Sequence, residues 1–377
     1  MSTVRKANPL RTVLKWTIAL AVLFAICLTG YILLDKYSQG QREAEALRVE
    51  EENRVLLEEN SRARAEQMAS LQTGEVRTWP QPKAEGWDVV DVSDFPITFS
   101  AQAPVTREEL LMGGLLLVNR WHTMPGDYTL VEDDLASIGI RTSYRVPVDN
   151  GNITLLPTAI EALDAMIQGA RDAGLQYYTV RGGYRDFNTQ NTFWQAEVAR
   201  YTDRYSGEAL IERARQNVAY PGTSEYHTGL SVSMDVYNRN DSALNAAPFQ
   251  QTEQAKWLNE HGWEYGFVFR FPTQGYPDAA TVDKSHVTGI NLRLDAYRFV
   301  GVPHAAVMRH LGLALEEYID YLIAHPHISV YKDGVLTYEI YRVPGGDADT
   351  TVSLPRADTE FLASTDNLGG LVVAIIH

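Results

Sequence analysis

The sequence predicts an α+β fold for this chain of 377 residues. Segments with helical periodicity alternate with short apolar segments, but they do not follow the strict alternation of strand and helix that is typical of a parallel sheet. The hydrophobic content of 45% is enough to bury a real core, so the chain is not globally disordered. The C-terminal part contains β-rich segments separated by turns. We therefore expect one or two globular units, with a small β appendage at the C-terminal end.

The N-terminal part is predicted to be a membrane anchor. Residues 16–34 form an uncharged apolar run that would be about 28 Å long as a helix, close to the hydrocarbon thickness of a bilayer. Four basic residues precede this run, which places residues 1–15 in the cytoplasm by the positive-inside rule. A cleaved signal peptide is the alternative. We expect a single-pass protein of the cell membrane whose globular domain is extracytoplasmic.

A helical stalk is predicted to follow the anchor. Residues 37–72 lack proline and are rich in Glu, Arg, Ala and Leu, a composition that favours helices. A weak heptad pattern with asparagine at core positions indicates either a solvated spacer or a coiled coil that joins two copies of the chain. Residues 73–82 contain Gly, Trp and Pro and are predicted to be a linker.

The globular domain is predicted over residues 83–325. Capping residues and apolar periodicity give its elements in order. Helices are expected over 106–113, 156–173, 187–218, 252–261 and within 304–324, and strands over 115–118, 177–180 and 230–237. Residues 326–377 contain three β-rich segments and form the predicted appendage.

Composition excludes several functions. The formal net charge of −15 gives no electrostatic footprint for nucleic acid. The chain has a single cysteine, Cys27, so it has no disulfide framework, no zinc site built from cysteines and no intramolecular dithiol pair.

Three segments carry a more specific signal. They are VRGGYRDFNTQ at residues 180–190, YPGTSEYHTGLSVSMD at 220–235, and YGFVFRFP at 265–272 followed by TGINLRLDAYRFVGVPHAAVM at 288–308. In this order and spacing they resemble the zinc D-alanyl-D-alanine carboxypeptidases of the VanY type, which trim peptidoglycan stem peptides. The resemblance covers roughly residues 111–322 and implies a VanY-like α+β domain that binds stem peptide.

The residues that this resemblance would assign to catalysis are replaced. A catalytic zinc needs three protein ligands, an open position for water and a carboxylate base. The family pattern SEHxTGLAxD places Tyr226 and Ser233 at two ligand positions. The pattern GIxxExWHFRYVG places Arg293 at the general base and Ala296 at the third ligand. We therefore expect no catalytic residue and no metal.

Shifted neighbours are the alternative. His227 follows Tyr226, and Asp235 lies two residues beyond Ser233, so a strand bulge would be needed to bring that carboxylate into place. No neighbour replaces Ala296. An active D,D- or L,D-carboxypeptidase with a rearranged zinc site at His227 and Asp235 therefore remains the second hypothesis.

The residues expected to bind substrate are retained. The patterns GYRxxxxQ and PGxSE contain Tyr184, Arg185, Gln190 and Ser224, and the resemblance implies that the arginine faces a peptide carboxylate. The alternative is that Arg185 pairs with a neighbouring carboxylate and only stabilises the fold. The sequence thus favours a catalytically degenerate domain that binds stem peptide or an envelope protein.

Overall fold

The computed structural model describes residues 20, 22–38, 40–41, 44, 48, 86–128, 130 and 132–377. These residues divide into two compact units. One unit contains the described residues before 55 together with Val198–Arg213, and the other contains the described residues of Leu56–Glu197 and Ala214–His377. The sheets and the site described below belong to the second, larger unit.

Ten helices are described between residues 86 and 377. In chain order they are α1 (Arg107–Leu111), α2 (Ile138–Arg141), α3 (Pro157–Asp172), α4 (Phe187–Tyr201), α5 (Gly207–Arg215), α6 (Ser242–Ala246), α7 (Glu253–His261), α8 (Ser285–Thr288), α9 (Val302–Leu311) and α10 (Leu315–Ala324). Short 3-10 turns cover Glu132–Asp134, Glu225–Thr228, Phe249–Gln251 and Gly262–Tyr265.

The strands form several sheets. In chain order they are β1 (Trp87–Asp91), β2 (Ala101–Val105), β3 (Ala136–Ser137), β4 (Thr154–Leu155), β5 (Tyr178–Gly182), β6 (Ser231–Val236), β7 (Phe267–Phe269), β8 (Ala296–Phe299), β9 (His327–Lys332), β10 (Val335–Pro344), β11 (Thr350–Leu354), β12 (Phe361–Thr365) and β13 (Gly370–Ile376). Every ladder between these strands is antiparallel. The mixed α+β class is therefore confirmed.

A four-stranded sheet with the order β5-β6-β8-β7 supports the site. Helix α3 packs on this sheet through an apolar face that includes Ile160, Leu163 and Ile167, all of which are buried. These residues follow the three-to-four residue spacing of one helical face, which is why the segment forms an amphipathic helix. The sheet contributes Val180 and Val232 to the same core.

The C-terminal strands belong to a five-stranded sheet with the order β1-β9-β10-β13-β12. Its first strand comes from the segment before residue 325, because Trp87–Asp91 pairs with Ile328–Lys332. One face of the sheet packs on α9 and α10, where Ile340 and Val372 share a core with Leu322. Residues 326–377 therefore share both a sheet and a core with the preceding segment, although the boundary at residue 325 stays a prediction.

Most predicted elements are confirmed with shifted ends. The predicted segments 156–173, 177–180, 230–237 and 252–261 correspond to α3, β5, β6 and α7. The long helical prediction 187–218 is split into α4 and α5. The last predicted helix is likewise split into α9 and α10 by Gly312, whose φ of 66° is in the left-handed region and ends α9.

The strand predicted over residues 115–118 is wrong. The Leu115 N–H donates a hydrogen bond to Ser364 Oγ at 3.0 Å, and the Leu117 N–H donates to the Asp366 carbonyl at 3.4 Å. The peptide groups of this apolar segment thus bind residues around the end of β12 and do not form a ladder.

The predicted membrane anchor is contradicted. Within the described part of the chain, no helix is long and apolar enough to span a membrane. This finding does not support three predictions: the single-pass helix over 16–34, the membrane as a partner and the localisation in a cell membrane. Residues 1–15, the linker 73–82 and most of the stalk 37–72 lie outside the described residues.

Candidate functional site

The four positions assigned to zinc chemistry converge at one end of the sheet. Ser233 on β6 pairs directly with Ala296 on β8. The Ser233 hydroxyl lies 2.8 Å from the Tyr226 hydroxyl, and it accepts a hydrogen bond of 2.8 Å from Arg293 Nη2. Tyr226 reaches this point from the 3-10 turn that precedes β6. The sequence therefore identifies a real cluster, although its chemistry differs from that of a metal centre.

The donor set of this cluster does not fit a zinc ion. Burial raises the pKa of Tyr226 despite the two nearby guanidinium groups, so its phenol stays protonated at neutral pH. Ser233 and Ala296 supply a hydroxyl and a methyl group, and Arg293 adds a permanent positive charge. Among the residues that the structure describes, no group of three or more His, Cys, Asp or Glu side chains could hold a metal ion.

The alternative ligands lie apart from the cluster and are occupied. Both ring nitrogens of His227 bind backbone: Nδ1 lies 2.6 Å from the Arg185 carbonyl, and Nε2 accepts from the Gly222 N–H at 3.0 Å. Burial lowers the pKa of His227, which is consistent with a neutral ring. Asp235 accepts a hydrogen bond of 2.8 Å from Arg181, and the only register shift near it lies in β5. The bulge in β6 that a rearranged site would need is absent from this described strand.

Arg185 is buried beside the cluster. Its side chain is held by Gln190, to which Nη1 donates at 3.2 Å, and by the Phe193 and Tyr226 rings, whose centroids lie 4.3 and 4.1 Å from Cζ. Burial lowers the pKa of Arg185 to about 10, so the group remains charged at neutral pH. Gln190 is fixed in turn by donating to the Ala219 carbonyl at 2.7 Å.

The predicted pairing of Arg185 with a neighbouring carboxylate does not occur. Asp186 accepts from the Thr189 N–H at 2.6 Å and thus caps α4. Glu225 accepts from Ser231 and is paired with Arg270. Within the described residues, Arg185 has no carboxylate partner, so its charge is available to a ligand.

These side chains line a cavity of about 190 Å³. Arg185, Gln190, Ser224, Tyr226 and Arg293 contribute to its wall. Tyr184 does not line the cavity. Of the predicted binding residues, the structure therefore brings three together.

Sequence reasoning missed several residues of the cavity wall. Arg120, Arg215 and Arg270 also line it. Arg270 is almost fully buried and donates to Glu316 at 2.7 and 3.0 Å in addition to its pairing with Glu225. A charged residue between phenylalanines in YGFVFRFP was a signal for this buried ion network, but its partners are distant in the sequence.

Comparisons with known proteins agree with the fold and the motifs. The family described as VanY, D-alanyl-D-alanine carboxypeptidase, matches residues 152–286. A D-alanyl-D-alanine carboxypeptidase of Enterococcus faecium is 28% identical over 72% of this chain and 78% of its own length. The YodJ protein of Bacillus subtilis is 31% identical over 55% of this chain and 67% of its own length.

A solved structure has the same fold. The vancomycin-resistance D,D-dipeptidase VanXYg, crystallised with a D-Ala-D-Ala phosphinate analog, superposes with a TM-score of 0.55 and 22% identity over 74% of this chain and 99% of its own. The sheet and the helices therefore define an α+β domain with the fold of that structure. The chain belongs to the VanY family of D-alanyl-D-alanine carboxypeptidases.

Proposed function

We propose that this chain binds the D-alanyl end of a peptidoglycan stem peptide and does not hydrolyse it through zinc. The observation that carries the proposal is the buried guanidinium of Arg185, which lines the cavity with no carboxylate partner among the described residues. A guanidinium held in one orientation is suited to a peptide carboxylate. The family membership supports the choice of ligand. An envelope protein with an exposed C-terminal carboxylate would use the same chemistry.

The proposal excludes zinc-dependent hydrolysis because no described side chain replaces the missing ligands and base. The hypothesis of a rearranged site would need His227 and Asp235 as ligands. His227 has both ring nitrogens engaged with backbone, and the Asp235 carboxylate is engaged by Arg181 and by the Val236 N–H. Releasing His227 would leave the Gly222 N–H and the Arg185 carbonyl without their partner, which is costly because His227 is buried.

Binding is tested by calorimetry with diacetyl-L-lysyl-D-alanyl-D-alanine and with the same peptide as its C-terminal amide. The full chain should bind the carboxylate form and discriminate against the amide. Arg185→Gln should weaken the binding of the carboxylate form by about ten- to a hundredfold, which is the range for losing a charged hydrogen-bond partner. Arg181→Gln, an exposed arginine that does not line the cavity, is the matched control and should bind as the unmodified chain does. Equal affinity for acid and amide would refute the proposal.

The loss of catalysis is tested separately by metal analysis and by D-alanine release from a pentapeptide. The unmodified chain should hold no stoichiometric zinc and release no D-alanine. Replacing the set as Tyr226→His, Ser233→Asp, Arg293→Glu and Ala296→His should create zinc affinity, whereas each single change should not, because one or two ligands hold the ion weakly. Chelator-sensitive release by the unmodified chain, abolished by His227→Ala or Asp235→Ala, would establish the rearranged site instead.

A further inference from the structure

A second guanidinium lies in the same cavity as Arg185. Arg293 lies in the segment between α8 and β8, and it lines the cavity together with Arg185. Its Nη2 donates to Ser233 Oγ, and its Cζ lies 5.1 Å from the centroid of the Tyr226 ring. The ring of Tyr226 therefore contacts both guanidinium groups, since Arg185 Cζ lies 4.1 Å from the same centroid.

Gly182 lies close to both Arg185 and the Ser233 hydroxyl that binds Arg293. A Cβ atom at this position would lie 3.4 Å from Ser233 Oγ and 3.7 Å from Arg185 Nη2. Ser233 Oγ is the atom that receives the hydrogen bond from Arg293. These are ordinary contact distances, so they show only that Arg185 and the Ser233–Arg293 pair lie on the same side of Gly182 and close to each other.

The charge balance of the cavity favours an anion. Among the described residues that line it, Glu225 is the only carboxylate, and it is engaged by Arg270 and Ser231. Arg293 has one ion pair, in which Nε lies 3.3 Å from a carboxylate oxygen of the partly exposed Asp295 outside the cavity wall. Arg293 lowers the pKa of Arg185, which shows that the two like charges repel, whereas Asp295 acts in the opposite direction. A bound anion would reduce the repulsion that remains.

We propose that Arg293 is a specificity-determining residue that binds the ligand carboxylate jointly with Arg185. This inference rests on the proposed function and deepens it. It makes carboxylate binding independent of zinc, and it assigns to this chain a cation that the resemblance to the carboxypeptidases does not provide. Ser233 and Tyr226 are positioning residues that hold this guanidinium at the sheet end.

The test compares binding of diacetyl-L-lysyl-D-alanyl-D-alanine and of its amide by the full chain and by Arg293→Gln. The variant should bind the carboxylate form about ten- to a hundredfold more weakly, because one of two charged hydrogen-bond donors is lost. Its affinity for the amide should be unchanged, a readout that a merely structural role of Arg293 would not give. An excess of EDTA should leave the affinity of the unmodified chain unchanged.

Two further variants separate the possible outcomes. Arg181→Gln is again the control for removing an arginine elsewhere on the sheet. Arg293→Met, which keeps an unbranched apolar stem, gives a second measurement if the glutamine variant does not fold, and the same loss is expected. Carboxylate affinity that survives both Arg293 changes but is lost in Arg185→Gln would overturn this inference and leave the proposed function standing. Loss of binding in EDTA would also overturn it. Failure of the unmodified chain to distinguish acid from amide would instead refute the proposed function.

Discussion

At the residue scale, two buried histidines have structural roles and not chemical ones. His227 binds two backbone groups, whereas His304 contacts the Tyr318 hydroxyl through Nδ1 at 2.8 Å and leaves Nε2 without a partner among the described residues. Burial lowers the pKa of His304 to about 3. Both rings are therefore neutral parts of the fold, and neither is arranged to bind a metal.

His304 predicts a specific dependence of stability on pH. Its folded pKa of about 3 lies below the ordinary value of 6.5, so the unfolded chain binds a proton first as the pH falls. The stability that depends on a neutral His304 ring is complete above pH 6.5. As the pH falls from about 6.5 toward about 3, protonation of the unfolded chain lowers the free energy of unfolding by up to about 1.4 kcal/mol per pH unit. We expect the unfolding free energy of His304→Gln to decline less steeply over this range than that of the unmodified chain, as measured by urea titrations at several pH values. Parallel profiles would contradict the assignment.

At the scale of elements, the start of helix α4 connects stability to the site. Asp186 caps the helix through the Thr189 N–H, and Gln190 in the first turn holds Arg185. The helix therefore fixes the orientation of a guanidinium that lies outside it. The pKa of Asp186 is lowered mainly by its hydrogen bond with Thr189, so the stabilisation from this cap is complete above the ordinary pKa of about 3.8 and is lost as the pH falls through the lowered pKa.

Removing this cap should affect folding and binding together. Asp186→Ala should reduce the unfolding free energy by about 1 kcal/mol. It should also weaken carboxylate binding, because the first turn then holds Gln190 less firmly. The stability difference from the unmodified chain should shrink as the pH falls through the lowered pKa, where the cap is protonated. Asp186→Ser, which keeps a capping oxygen, is the control and should retain most of both properties; equal losses in the two variants would argue against the capping role.

At the scale of the whole molecule, the C-terminal sheet is a structural part of the domain. Its strands cover α9 and α10 on one face, and on the other face Tyr341, Val373 and Ile375 pack with the β2–β11 pair. Ser364 and Asp366, which lies just beyond the end of β12, also bind the segment at residues 115–117. The segment 326–377 therefore completes a core that residues before 325 cannot bury alone.

Truncation distinguishes this arrangement from that of an independent appendage. Ending the chain at residue 325 should expose the apolar faces of α9 and α10 and cause aggregation or loss of cooperative unfolding. Removing residues 1–72 should leave a soluble, folded protein, because the described sheets begin at Trp87. The measurements are light scattering and thermal unfolding of each purified protein. A monomeric, cooperatively folded protein that ends at residue 325 would contradict the shared core.

The elements that the sequence predicts well are those whose signal is local. Helix α3 has a continuous apolar face, and β6 alternates polar residues with the apolar Val232, Met234 and Val236. The apolar segment at residues 115–118 misled the prediction because its hydrogen-bond partners are about 250 residues away. The apolar run at 16–34 likewise indicated a spanning helix that the described residues do not support.

By itself, the sequence determined the α+β class and the carboxypeptidase family, because both depend on residue types at fixed spacing along the chain; the replacement of the metal and base residues stays a prediction. Tertiary structure decided which of those residues meet. It joined Tyr226 to Ser233, brought Arg293 to the same hydroxyl and left Arg185 without a carboxylate partner among the described residues. These contacts depend on strand register and on side-chain direction across distant segments, and neither can be derived from local sequence patterns.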